Sequence, residues 1–286
     1  MSPSEPGRPP ARPPAEVDVR AELLRAVRCL AHPTDQARGS TSDLSIDEAL
    51  MLHSVGWEPI DLICGVSLES IPYGVWNWGS GEIGAASAAQ TQAVQAAADR
   101  LREECLSVSG YGVVGVRVEL EVHRHHADAV LVGTAVRPAD AKRAPASPFV
   151  SDLSARDFAL LASAGWEPMG LAFGTSFVYA PRRSVGKVLS QKTQNVELTN
   201  FTEAMYSARE AAMERMQSSA ITVGATGVVA VRVEEGPMPF AHHSIRFTAW
   251  GTAVRPGPSG HRRIAPQVVV SVNDARSQFE ASALRD

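Results

Sequence analysis

The sequence predicts an α+β fold made of two tandem copies of one unit, each a short helix, a strand, a long helix and two antiparallel strands. Three recurrences carry this expectation. The stretch from Asp43-Leu44-Ser45 to Gly56-Trp57-Glu58-Pro59 returns as Asp152-Leu153-Ser154 to Gly165-Trp166-Glu167-Pro168, at an offset of 109. Gly112–Val118 returns as Gly227–Val233, and Gly133-Thr134-Ala135-Val136-Arg137-Pro138 as Gly251-Thr252-Ala253-Val254-Arg255-Pro256, at offsets of 115 and 118. Self-similarity in fixed order is the mark of a repeated structural unit, and the slow growth of the offset places small insertions in loops of the second copy.

The elements follow in chain order. Residues 1–42 form a tail, Pro-rich over residues 1–16, in which Val17–Leu30 can make one short amphipathic helix. Each copy then opens with a helix. Ser45 with Glu48 is a capping box, and Ser154 with Asp157 is a weaker version of it. Gly56 and Gly165 stop these helices, because glycine accepts the left-handed conformation just past a helix end. Apolar strands follow near Ile60–Leu68 and Met169–Val178. In the main helices the apolar stripes are Val94, Ala98, Leu101, Cys105 and Val108, and Phe201, Met205, Ala208, Ala212 and Met216. Next comes strict alternation: Val114, Val116, Val118, Leu120 and Val122 against Gly115, Arg117, Glu119, Glu121 and His123. The second copy repeats it with Val229, Val231 and Val233. The valine face is expected under the main helix and the Arg/Glu face away from it. The copies therefore span 43–138 and 152–256, with a linker at 139–151 and an extension at 257–286.

Composition excludes several classes. With 27 Lys and Arg scattered among 31 Asp and Glu and a net charge of −4, no nucleic-acid-binding patch forms. The basic run Arg182, Arg183 and Lys187 reads as a solvated loop. Cys29, Cys64 and Cys105 have neither a disulfide framework nor thiolate zinc spacing. No stretch approaches the roughly 20 apolar residues of a membrane span, and proline stands where a signal peptide would be apolar. The expectation is a cytoplasmic protein. No nucleophile elbow, phosphate loop, dinucleotide fingerprint or HExxH occurs, so a non-catalytic protein is expected.

Asn195-Val196-Glu197-Leu198, Ala208-Arg209-Glu210-Ala211-Ala212-Met213, Gly224–Arg232 and Gly251-Thr252-Ala253-Val254 together resemble the YbjQ-like family of heavy-metal-binding domains. The first copy departs from that pattern, with Ser109-Gly110-Tyr111-Gly112 before its strand and no Ala-Arg-Glu triplet in its helix. The resemblance implies a dodecin-like fold assembled into rings, commonly of five, and a metal-binding label. Ring assembly has a second support, since a three-stranded sheet under one helix leaves a face and an edge to be covered.

Three groups are candidate sites. His123, His125 and His126 in the first copy, and His242 and His243 in the second, cluster between the last two strands. Neutral imidazoles there would take a divalent transition metal, or they are solvated hairpin residues. If the strand continues, His123 and His125 share a face and make the better pair within one chain. Arg117 with Glu119, and Arg232 with Glu234, form ion pairs across an oligomer interface or face water. Tyr73, Trp76 and Trp78 form a loop that docks a ligand or protein partner, or covers the end of the core. Trp57 and Trp166 read as core. Together these features predict a self-assembling, ring-forming scaffold or interaction protein, with metal or small-ligand binding as the alternative.

Overall fold

A serine and a glutamate begin the first described element of the computed structural model, which describes residues 41–76, 81–141, 145–180, 199–238 and 240–258. Glu48 N–H donates to Ser45 Oγ (3.3 Å) and Ser45 N–H to Glu48 Oε2 (2.9 Å), opening helix α1, Ile46–Ser54. Asp157 N–H donates to Ser154 Oγ (3.1 Å) at the start of the matching helix α3, Ala155–Ser163. Gly56 and Gly165 follow at φ 76° and 78°, the left-handed stop that only glycine adopts freely. Residues 1–40 with the helix expected at Val17–Leu30, Cys29, Trp78, the basic run, Asn195–Leu198 and most of the C-terminal extension lie outside the described residues.

The first copy continues with β1 (Trp57–Ser70), β2 (Gly81–Glu82), the long helix α2 (Gly84–Ser107), β3 (Gly112–Val122) and β4 (His126–Pro138). The linker contributes β5 (Phe149–Val150), and the second copy α3, β6 (Trp166–Tyr179), the long helix α4 (Thr199–Thr222), β7 (Gly227–Met238) and β8 (Ala241–Pro256). The α+β class and the repeated order of elements are as the sequence predicts. The sheets run β1-β4-β3-β5 and β2-β6-β8-β7. Each sheet thus borrows a short strand from beyond its own copy: β2 of the first copy adds to the edge of β6, and β5 of the linker adds parallel to β3.

Packing is layered. Ile63, Ala129 and Leu131 of the first sheet, Val94 and Leu101 of α2, and Leu171, Phe173 and Trp250 of the second sheet share one core, so α2 is held between the two sheets. Ala172, Phe247 and Ala249 on the opposite face of the second sheet pack with Ala208, Ala212 and Met216 of α4. Close helix approach requires glycine at two matching points. A Cβ on Gly65 would lie 2.1 Å from Ala97 O, and one on Gly174 2.0 Å from Ala212 O. A third core at one end joins Leu52, Val114, Val136 and Phe158, with half-buried Trp57 edge-on to Phe158 (5.0 Å) and Phe149 (5.9 Å).

Two expectations need correction. The alternation along β3 is broken by a bulge between Val114 and Arg117, where Gly115 sits at φ 65°. Val113 and Val116 therefore face α2, while Val114 turns to the opposite side, among α1 and α3. In β7, Ala230 makes the same bulge at φ 53°, so Val228 joins the α4 core and Val229 does not. Arg117 and Arg232 still point away from their helices. The second correction is in α4: Met205, read as part of the buried stripe, is exposed. Among the described residues no helix is long and apolar enough to cross a membrane.

Candidate functional site

The hairpin between β3 and β4 is tight. His123 N–H donates to His126 O (2.8 Å), leaving Arg124 and His125 as a two-residue connection. Glu121 is paired directly opposite Asp128. Side chains two apart share a face, so Glu121 and His123 of one limb and Asp128 and His126 of the other make a two-by-two patch. His123 and His126 stack with ring centroids 4.4 Å apart. Each Nε2 lies 3.7 Å from Asp128 Oδ2, and His123 Nε2 lies 3.3 Å from Glu121 Oε2. Burial raises the Asp128 carboxyl above its ordinary range, the two histidines pull it back, and Glu121 adds to the rise. Asp128 Oδ1 is buried with no hydrogen-bond partner.

His125 belongs elsewhere. Its ring stacks on exposed Tyr73 (4.0 Å, 28°), and its carbonyl accepts from Ile71 N–H (2.8 Å). The pair expected from strand periodicity, His123 with His125, is thus replaced by His123 with His126, because the chain reverses between them. Trp76 is buried against Phe177 and Phe240, and its Nε1–H donates to Arg124 O (2.8 Å). The aromatic loop and the hairpin brace each other.

The second copy has no such patch among its described side chains. Gly236 and Arg246 stand opposite each other where Glu121 and Asp128 do, and Arg246 pairs with Glu234 (3.4 Å). His243, at φ 71°, lies near Phe201 (5.7 Å) and Tyr179 (6.3 Å), and its carbonyl accepts from Ala180 N–H (2.7 Å). That bond repeats the one at His125. The side chain of His242 lies outside the described residues.

Arg117 and Arg232 each approach an aspartate of their own copy that sequence reading passed over. Arg117 lies 3.1 Å from Asp43, which accepts from Thr134 Oγ1 (2.7 Å). Arg232 lies 3.8 Å from buried Asp152, which accepts from Thr252 Oγ1 (2.6 Å). Burial raises the Asp152 carboxyl against the pull of that bond and of Arg232. Glu119 lies exposed on the same face as Arg117. The signal for the aspartates was present: both begin the repeated Asp-Leu-Ser, and both threonines sit in the repeated Gly-Thr-Ala-Val.

The contact between copies is the other constellation the sequence did not announce. Thr175 Oγ1 donates to Gln90 Oε1 (2.8 Å), and Phe177 N–H to Ser87 Oγ (3.1 Å). Arg215 of α4 donates to Glu82 Oε2 of β2 (2.8 Å) and to Thr175 O (2.7 Å). Arg215 first, then the hydroxyls of Ser87 and Ser176, hold Glu82 below the usual carboxylate range against partial burial. In the first copy Arg100 makes the matching bond, to Val66 O.

A family model described as "Putative heavy-metal-binding" matches residues 180–256. The chain is 34% identical over 241 residues to the encapsulin nanocompartment protein Rv1762c of Mycobacterium tuberculosis, covering 82% of this chain and 92% of that protein. Shorter relatives match one copy's length. A UPF0145 protein of Halorubrum lacusprofundi is 36% identical over 92 residues, 31% of this chain and 84% of that protein, and one of Latilactobacillus sakei is 31% identical over 93, 32% of this chain and 82% of that protein. Among the described residues, the group of three or more His, Cys, Asp or Glu close enough to share an ion is His123, His126 and Asp128, outside the matched stretch. Burial pushes the Cys105 thiol up to about 12 and, with Glu104, raises that of Cys64, so neither offers a thiolate at neutral pH.

Proposed function

The chain belongs to the YbjQ-like family in its tandem form, and we propose that it is a non-catalytic protein that assembles head to tail. The observation that carries this reading is the contact inside the chain. One surface of the first copy, α2 with the β3 edge, meets a different surface of the second, the outer face of β6, with β5 of the linker beside it. Such a contact is heterologous, and it leaves each partner's other surface unused. On the second copy the unused surface is α4 with the β7 edge, where Tyr206, Met205, Val231 and Val233 are exposed. Thr202, Met205, Tyr206, Arg209, Val233 and Phe247 line a groove of about 470 Å³ there. On the first copy it is the outer face of β1, where Leu62 is exposed and Cys64, Val66 and Leu68 are half-buried. Their counterparts Leu171, Phe173, Thr175 and Phe177 are all buried by the contact within the chain. A second chain supplies the missing neighbour at either end.

Closure of this contact gives a ring, and failure to close gives a filament. The similarity to a nanocompartment protein supports an assembly role, and a shell of that kind is the partner this reading expects. The domain limits 43–138 and 152–256 follow as the assembling units. Light-scattering mass at micromolar concentration tests the reading: wild type runs as a multimer, whereas Val231→Asp and Leu62→Asp each run smaller. Mixing the two variants restores one intact contact and yields a complex of two chains. A monomeric wild type, or variants that assemble as wild type does, overturns it.

A further inference from the structure

We propose that the β3–β4 hairpin of the first copy is a divalent transition-metal site, with His123 Nε2, His126 Nε2 and a carboxylate oxygen of Asp128 as ligands and Glu121 or water completing the shell. This proposal is independent of assembly. Ligands on a tetrahedral zinc at about 2.1 Å lie about 3.4 Å from one another. The imidazole-to-carboxylate separations of 3.3 and 3.7 Å already approximate that spacing, and the three ligand atoms all lie within 4.8 Å. Rotamer adjustments at half-exposed side chains close the remainder.

Three further observations point the same way. Glu121 and Asp128 are directly cross-strand, an arrangement of like charges that destabilises a sheet unless a cation lies between them. Asp128 Oδ1 is buried without a partner, a desolvated acceptor beside the site. The hairpin is also held from behind, by Trp76 Nε1–H on Arg124 O and Ile71 N–H on His125 O, so the ligands start from a fixed backbone. Two imidazoles and one or two carboxylates suit zinc, cobalt and nickel over calcium or magnesium, which prefer all-oxygen shells. Among the described residues the site belongs to the first copy, since Gly236 and Arg246 occupy the acidic positions in the second. It therefore differs from whatever the family label describes, because the family match falls on the second copy.

The test is calorimetric titration of zinc chloride into metal-free full-length protein, repeated with cobalt chloride to read its visible absorption. One metal per chain is expected, with an imidazole-type cobalt spectrum and a rise in melting temperature on adding zinc. His123→Ala and His126→Ala should each weaken binding at least tenfold, and Asp128→Asn about as much, comparable to losses on disturbing known metal shells. His125→Ala and His243→Ala should bind as wild type does. Because the ligands are half-exposed, His126→Ala should stay folded, with the wild-type assembly mass as its control. Wild-type affinity in His126→Ala, or equal loss in His125→Ala, overturns the site.

Discussion

Strands β3 and β7 carry nearly the same residues and meet opposite fates. Val116 is 1% exposed and its counterpart Val231 is 41% exposed, although both follow a bulge and precede an arginine. The difference lies in the neighbour. Ser151 N–H donates to Val113 O (2.9 Å), Val116 N–H to Ser151 O (3.0 Å) and Gly115 N–H to Leu153 O (2.7 Å), sealing the β3 edge. Phe173 and Trp250 pack into the core beside it. In the second copy the same apolar motif has no such cover within the described chain. A repeated motif thus shows what its exposed version expects to meet, because the buried version already meets it.

Removing the cover within the chain gives the largest effect that could break this comparison. Phe173→Ala should cost about 3–5 kcal/mol in urea unfolding, the usual range for emptying an aromatic core position. Cys64→Ala, at the matching place on the uncovered face of the first copy, should cost less than about 1 kcal/mol. Equal costs would mean the two faces are not counterparts.

A smaller pair of changes sharpens the view of the bulge. Ala230 adopts a conformation that glycine takes without strain, and Gly115 already is glycine. Ala230→Gly should stabilise by about 1 kcal/mol and Gly115→Ala destabilise by about as much. Effects of the same sign would show that the bulges are not equivalent.

The smallest effect concerns acid. Arg215 holds Glu82 below its ordinary range, so the bond between copies adds stability above the unfolded value of about 4.3, and that stability is lost as pH falls through the folded value. Glu82→Gln should flatten the fall in unfolding midpoint below about pH 5 while leaving the neutral-pH slope unchanged. An unaltered acid limb would separate this pair from the cohesion of the copies. Asp152 acts with the opposite sign: its raised carboxyl favours folding at low pH, and that favour is lost as pH rises through the folded value.

Much of the fold could be read in the chain because helix caps and glycine stops are local chemistry, and both copies repeat them. The two borrowed strands could not, since Gly81–Glu82 and Phe149–Val150 are too short for any period. The bulge was hidden because Gly115 stands where a polar-face residue should, and Ala230 gives no cue at all. At the histidines the cluster could be read in the chain and its geometry could not. Strand logic joined His123 to His125, yet Glu121-Val122-His123 facing His126-Ala127-Asp128 is a mirror pattern that places the turn at Arg124-His125. The Asp–Thr pairs were each spelled within repeated motifs, but the partners lie 91 and 100 positions apart in the chain.

The covalent join between the copies has an arithmetic consequence. Any closed circle formed by repeating the contact between copies contains an even number of units, because every chain brings two. A five-unit circle, open to a single-copy relative, is closed to this chain; five chains make a circle of ten. Alternate contacts around it are fixed at synthesis, and only the others respond to concentration, so dilution would divide such a circle into pairs of units and never into single ones.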